Sequence, residues 1–387
     1  MTMAAQYSDV IACQRALFGI PDDVAYLNCA SLAPLMRSAQ KAGMEAIKRR
    51  AEPWRIAAED WFSDVEERRS LFAKLLGADV DGIALVPATS YGLAAAAKNL
   101  SAGYGERVLV IAEDYPSNVY TWHAFTRCTG SELVTVARTP GTTWTEAVLS
   151  HLGKGTAIVA IPNVHWTDGT LLDLRAIGDA TRAVGAKLVI DATQSLGAMP
   201  FDFESIRPDF LVAVGYKWLL GPFGLGYLYV APEYRQGSPL EENWIVRNGA
   251  GDFARLVDYT DQYAPGSRRF DVGERTAFEC TPMAHACLRQ ILRWGVPNIA
   301  ATLSQVTARI DQEAQTLGMQ ISPRVQRGPH MLGLKLPAKA LKRAREQMKK
   351  FNVYVGIRSD SMRISPHLHT NENDIDRLIE ALKAIGR

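Results

Sequence analysis

The chain has 387 residues, 47% of them hydrophobic and 22% charged, with a formal net charge of +2. These values are ordinary for a globular protein with a full core, and the length accommodates one large domain with a smaller one attached. Near-neutrality excludes a broad electrostatic footprint for nucleic acid or an anionic membrane, and no uninterrupted apolar run approaches a membrane span.

The five cysteines, Cys13, Cys29, Cys128, Cys280 and Cys287, are scattered, odd in number and without a Cys-x-x-Cys pair. Neither a disulfide framework nor a zinc site is expected from them. The N-terminal stretch MTMAAQYSDVIACQRALFGI has no basic region followed by a long apolar run, so no signal peptide is expected and the cytoplasm is the default location.

A short helical arm over residues 1–25 should pack with the small domain, and AYLNCASLAPL reads as an extended segment. Periodicity predicts amphipathic helices from about Leu35 to Arg50 and from Trp61 to Leu76. The pattern then changes. GIALV, RVLVIA, ELVTVA, TAIVAI, KLVIDA, DFLVAV and LGYLYV have strand length and are rich in Val, Ile and Leu, with helical segments such as LLDLRAIGDATRAVGA between most of them. Near-continuous apolar strands separated by helices indicate an α/β domain whose mostly parallel sheet is buried on both faces, here over residues 26–280. The stretch from about Pro232 to Glu279 is polar and irregular, with Trp244, Phe253 and Phe270 as apolar anchors. Residues 281–387 carry long helices, HMLGLKL, the basic helix AKALKRAREQMKKFN, VYVGIR, MRISP and a last amphipathic helix, a small α+β domain. The basic helix reads as a solvated outer face rather than a nucleic-acid contact, because the whole chain is near neutral.

Ligands of open α/β sheets bind beyond the carboxyl ends of the strands. After GIALVP comes Ala88-Thr89-Ser90-Tyr91-Gly92, where hydroxyl residues at a helix start suit a phosphate or a plain N-cap. After KLVI comes Asp191-Ala192-Thr193-Gln194. A carboxylate at the end of a buried strand needs a cation, either a structural partner or a protonated ring nitrogen. After DFLVAV comes Gly215-Tyr216-Lys217-Trp218. A lysine beneath apolar and aromatic neighbours either snorkels or becomes the weakly basic amine that forms an imine with an aldehyde. Together, a phosphate cradle, a buried acid and an activated amine match the three handles of pyridoxal phosphate (PLP).

Other motifs carry less. Gly221-Pro222-Phe223-Gly224-Leu225-Gly226 lacks the G-x-G-x-x-G spacing and leads into a strand, so it is not a dinucleotide loop. His367 and His369 could chelate a metal, but without nearby acids or thiols no metal site is expected.

The segment DATQSLGAMPFDFESIRPDFLVAVGYKWLLGPFGLGYLYV resembles the class-V aminotransferase family, which includes cysteine desulfurases, selenocysteine lyases, kynureninases and isopenicillin N epimerase-like proteins. The resemblance runs from about Tyr26 to the C-terminus. It implies the PLP-dependent transferase-like fold of type I, with Lys217 as the Schiff-base lysine and proton shuttle. Asp191 would pair with the pyridine N–H, Gln194 with the ring hydroxyl, and Thr89 and Ser90 with the phosphate. Tyr115, in Glu113-Asp114-Tyr115-Pro116-Ser117-Asn118, would stack on the ring, where desulfurases have histidine. Cys280-Thr281-Pro282 resembles a turn in which Thr281 reaches the phosphate of a neighbouring subunit, implying a homodimer. Arg363 matches the arginine that grips the substrate α-carboxylate, with Asn28 and Trp166 beside the substrate.

The departures carry information too. Desulfurases place a nucleophilic cysteine shortly before that arginine, whereas here Ser359, Asp360, Ser361 and Met362 separate Arg358 from Arg363. A persulfide route is therefore not expected. Val214 and Tyr216 replace the phosphate-binding serine and histidine of desulfurases, and the Tyr216-Lys217 pair resembles kynureninase, with Tyr216 a phosphate donor. Trp166 stands where desulfurases have asparagine, which suggests a bulkier side-chain pocket. The expected function is a PLP enzyme that deprotonates Cα of a small amino acid, of aminotransferase type. The alternatives are a β-eliminating C–S or C–C lyase and a non-catalytic PLP-fold scaffold or sensor; the substrate is one that the sequence leaves open.

Overall fold

The computed structural model describes residues 9–386. In chain order, β1 (Ala25–Tyr26) precedes α1 (Arg37–Arg50) and α2 (Ser63–Leu76). Strands and helices then alternate through β2 (Ile83–Val86), α3 (Thr89–Asn99), β3 (Arg107–Ile111), α4 (Pro116–Thr129), β4 (Glu132–Val136) and α5 (Trp144–His151). The alternation continues with β5 (Thr156–Pro162), α6 (Leu174–Ala183), β6 (Lys187–Asp191), α7 (Phe203–Ile206), β7 (Phe210–Val214) and β8 (Gly226–Val230). After an irregular excursion come α8 (Thr281–Trp294), α9 (Val296–Thr316), β9 (Gln320–Ile321), β10 (Leu332–Lys335) and α10 (Ala338–Lys350). The chain ends with β11 (Val353–Tyr354), β12 (Gly356–Arg358), β13 (Ser361–Ile364) and α11 (Glu372–Gly386).

Each of the seven apolar runs is a strand of one seven-stranded sheet, in the order β2-β8-β7-β6-β5-β3-β4. Every neighbouring pair is parallel except the two that β8 makes, so the carboxyl ends of the other strands share one edge. Side chains alternate across the sheet. Leu85, Ile111, Val159, Ile190 and Leu211 join Phe72, Ile177 and Leu288 in one core. Val86, Val110, Ala160, Val189 and Val212 join Leu93 and Trp122 of α3 and α4 in a second core. Burial on both faces explains why the strands lack polar alternation.

The small domain is an antiparallel sheet, β12-β13-β10-β9, whose core includes Leu334, Met362, Leu378 and Leu382. Of the arm expected over residues 1–25, residues 1–8 lie outside the described residues; in the rest, Arg15 pairs with Asp374 at 2.6 Å, and Gln14 N–H donates to Leu368 O at 2.8 Å. The expected domain boundary at 280/281 coincides with the start of α8. Helix α8 buries Cys287, Leu288 and Ile291 in the large core, as does the start of α9 with Ile299 and Leu303. Only later in α9 do Ile310 and Ala314 join the small core. Periodicity reveals an apolar stripe but not the layer that covers it.

The excursion over 231–280 is anchored by Phe270, 1% exposed, and by the buried Asp271. Asp271 accepts from Arg69 at 2.7 Å, Arg275 at 2.5 Å and the Leu85 N–H at 2.7 Å, which ties the segment to the start of the sheet. Trp244 and Phe253 pack around Trp61, at 5.8 and 5.9 Å between ring centres.

Three histidines, His330, His367 and His369, are fully buried between the two domains. His330 meets the Trp218 ring edge-on at 4.4 Å, and His369 meets Phe18 at 5.1 Å. Among the described residues, neither ring nitrogen of His367 has a hydrogen-bond partner. Burial pulls His330 down to about 4 and, with the charge of His330, pulls His367 down to about 3. Below the ordinary value of 6.5 the unfolded chain thus binds more protons than the folded one. The stability held above that value should be lost as pH falls toward 4, by about 1.4 kcal/mol per pH unit for each histidine. Thermal melts between pH 7 and 4 should show this slope, and His367→Phe should make it shallower. An unchanged slope would mean that other groups govern acid unfolding.

Candidate active site

The carboxyl ends of β2, β3, β5, β6 and β7 enclose one cleft, lined by Thr89, Asp114, Tyr115, Pro162, Val164, Trp166, Asp191, Thr193, Gln194, Val214, Tyr216 and Lys217. The turn after β7 presents Lys217, and the turn after β6 presents Asp191. These turns lie in direct contact: Gly197 has φ +92°, and a Cβ there would sit 2.5 Å from Trp218 O. Glycine at that position lets the two loops close on each other.

Lys217 is 7% exposed and makes no ion pair or hydrogen bond among the described residues. Its Nζ lies 5.3 Å from the Tyr115 ring centre and 5.8 Å from that of Tyr216. Burial pulls the amine down to about 8, opposed by Asp191 and assisted by the charges of Arg363 and Arg358. A useful fraction is then unprotonated at neutral pH, which nucleophilic attack on a carbonyl requires. Asp191 accepts the Thr193 N–H at 2.9 Å and likewise has no ion-pair partner among the described residues. Burial pushes its carboxyl above the ordinary range, opposed by Thr193 and Lys217. A cation placed against it would reverse that shift.

At the start of α3 the N-cap is Ala88, whose side chain cannot cap, so the hydroxyls here are not an N-cap. The first-turn N–H groups are thus left for another acceptor. Thr89 lies in the cleft with Oγ1 3.3 Å from Thr193 Oγ1, whereas Ser90 is exposed and does not line the cleft. Gln194 spends part of its amide on fixed partners: Nε2 donates to Ala30 O at 3.1 Å and Oε1 accepts from Trp218 at 2.9 Å. One amide hydrogen of Gln194 remains for the cleft.

The small domain touches that lining at Trp166. Arg363, 1% exposed on β13, donates to Trp166 O and Ser31 Oγ, both at 2.6 Å. Gly356 faces it across the strand pair, and a Cβ there would meet Asn28 Oδ1 at 3.2 Å and Arg363 Nε at 3.3 Å. Asn28 Oδ1 and Arg363 Nε are both buried without partners among the described residues, and both lie around this one glycine. Trp166 stands edge-on to Tyr115 at 5.5 Å, with Nε1 donating to Glu113 O at 2.7 Å.

Thr281 does not join them. It is 1% exposed inside its own subunit, its hydroxyl donating to Thr276 O at 2.6 Å and accepting from Arg68 at 2.8 Å, its N–H donating to Ala277 O at 2.9 Å. Its reach to a neighbour's phosphate stays an expectation of the family resemblance; within its own subunit the residue caps the buried Arg68.

Sequence reasoning passed over Asp114, Thr193 and Ser31. Asp114 is aimed inward by Glu113, a non-glycine residue at φ 58°, and its carboxylate takes the Tyr115 N–H and the Asn118 amide. Burial, followed by the charge of Asp191, pushes it up to about 7. Its adjacency to Tyr115 was the only available signal.

These residues fit PLP. An uncapped helix start, a desolvated carboxylate and an unpaired amine beside an aromatic ring converge in one cleft, and each lacks what PLP would bring.

The comparisons agree with that geometry. Residues 55–378 match the family described as Aminotransferase class-V. The chain is 30% identical to the uncharacterized aminotransferase YcbU of Bacillus subtilis, over 86% of this chain and 85% of that one. It is 32% identical to a kynureninase of Deinococcus radiodurans, over 68% of this chain and 65% of that one. A solved C-DES mutant with glycine linked to its PLP cofactor superposes with a TM-score of 0.85 at 18% identity, covering 95% of this chain and 98% of that one. The chain belongs to the class-V aminotransferases, PLP-dependent enzymes of fold type I.

Proposed function

We propose that this enzyme acts on a small α-amino acid in the manner of an aminotransferase, as a cytoplasmic homodimer. One observation carries the reading: the Lys217 amine, pulled down to about 8, shares the cleft with Asp191 and feels the charge of Arg363. PLP, when bound, supplies the electron sink that acidifies the substrate Cα–H. Lys217 is the amine that anchors the cofactor and then the base that takes and returns the Cα proton. Asp191 holds a proton on the ring nitrogen, Thr89 and the start of α3 receive the phosphate, and Arg363 receives the substrate carboxylate.

β-Elimination is the second reading, favoured by the Tyr216-Lys217 pair and the kynureninase relative. A persulfide route through cysteine is not favoured. No cysteine lines the cleft; Cys29 and Cys287 are buried with their thiols pushed up, Cys287 to about 12.

The test is stoichiometry. Given a competent amino acid and no amino acceptor, the aminotransferase reading expects one keto acid per active site and then arrest. Continuous release of ammonia or a second fragment would instead establish the lyase reading, and no product with any amino acid would leave a scaffold or sensor.

A further inference from the structure

Two guanidinium groups, not one, stand against Trp166 of the cleft wall. Arg363 is buried and Arg358 half-buried, and both donate to the same hydroxyl, Ser31 Oγ, at 2.6 and 3.2 Å. The strand register explains the placement. Gly356 lies opposite Arg363, so Arg358, two residues further along β12, is its diagonal neighbour on the same face. Such positions stand roughly 7–8 Å apart in an antiparallel pair. The Arg358 guanidinium also lies 5.8 Å from the ring centre of Trp166, a residue of the cleft wall, and its charge is felt at both Lys217 and Arg363.

Neither arginine forms an ion pair among the described residues. The acid closest to Arg358 in sequence, Asp360, turns to Lys335 at 3.9 Å. Two like charges held side by side, one nearly sealed from water, are costly unless an anion joins them. The cofactor phosphate does not serve, because its cradle is the start of α3. A single α-carboxylate satisfies one guanidinium in the bidentate fork that suits it.

We infer that the substrate carries a second anionic group on its side chain, a carboxylate or sulfinate one or two carbons beyond Cα, and that Arg358 receives it. The enzyme thus prefers acidic amino acids of about the size of aspartate or glutamate. The inference rests on the amino-acid reading above and adds the side-chain class to it. Arg358 is the specificity-determining residue, and Trp166 holds its plane against the cleft wall.

Succinate and butyrate test this without turnover, since they differ only in having a carboxylate or a methyl group at the far end. Each is titrated into the PLP-loaded enzyme, following the cofactor absorbance. Succinate should bind roughly tenfold tighter or more. Arg358→Gln should bring the ratio close to one, and Arg358→Lys should keep part of it. With aspartate and alanine as substrates, the kcat/KM ratio should fall in parallel. A ratio near one in the unaltered enzyme, or a preference that persists in Arg358→Gln, would overturn the inference. So would an equal loss for both ligands in that variant, which would make Arg358 a second hand on the α-carboxylate and leave the amino-acid reading intact. If Arg363→Ala left both ligands unaffected, the amino-acid reading itself would fall.

Discussion

Lys217→Ala is expected to lower turnover by roughly a thousandfold or more, because one side chain both anchors the cofactor and moves the Cα proton. No other amine lines the cleft. Borohydride treatment should fix the cofactor to Lys217 in the unaltered protein and leave it removable by dialysis from the variant. The loss should not come from misfolding. The turn is held by backbone bonds, Gly215 N–H to Leu225 O at 2.8 Å and Leu220 N–H to Lys217 O at 2.9 Å, which the substitution leaves in place. Removing a charge that burial already disfavours should leave the melting temperature of the cofactor-free protein equal or higher. A variant that still carried a borohydride-fixable cofactor and turned over at the normal rate would place the attachment elsewhere.

The sequence carried the large domain well for a physical reason. A sheet buried on both faces writes itself as runs such as TAIVAI and DFLVAV, and a site at strand ends is then found by reading the next few residues. Thr89, Asp191, Gln194, Tyr216 and Lys217 all follow such runs, and all line the cleft. What escaped is contact that depends on how distant segments meet. Ser31 stands against Arg358 and Arg363 of β12 and β13 only because the chain brings the nearby Asn28 beside Ser365. Asp114 carried no sequence signal beyond its place next to Tyr115, and only the fold shows it 7% exposed near Asp191. The layer that covers α8 was not legible for the same reason, since either core could have covered its apolar stripe. Residue type alone also did not reveal that Ser90 is exposed outside the cleft lining, or that Thr281 bonds through both its hydroxyl and its N–H inside its own subunit.

Arg363→Ala should weaken amino-acid binding about a hundredfold or more while leaving PLP affinity nearly unchanged. A bidentate, charge-assisted contact in a closed cleft is worth on the order of 2–5 kcal/mol, and every 1.4 kcal/mol is about tenfold in dissociation constant. The free protein should not suffer the same loss. Burial and the neighbouring Arg358 pull the Arg363 guanidinium down to about 9, so its charge is already disfavoured in the empty cleft, though it persists at neutral pH. Truncation removes that cost along with two hydrogen bonds, to Trp166 O and Ser31 Oγ, and the melting temperature should change little. Arg363→Lys should rescue poorly, because an ammonium cannot reproduce the planar fork. Spectral titration with amino acids measures the first effect and PLP titration of the stripped protein the second. Equal losses in both titrations would mean that Arg363 supports the cofactor site as a whole, and an amino-acid affinity left intact would move the α-carboxylate contact to another residue.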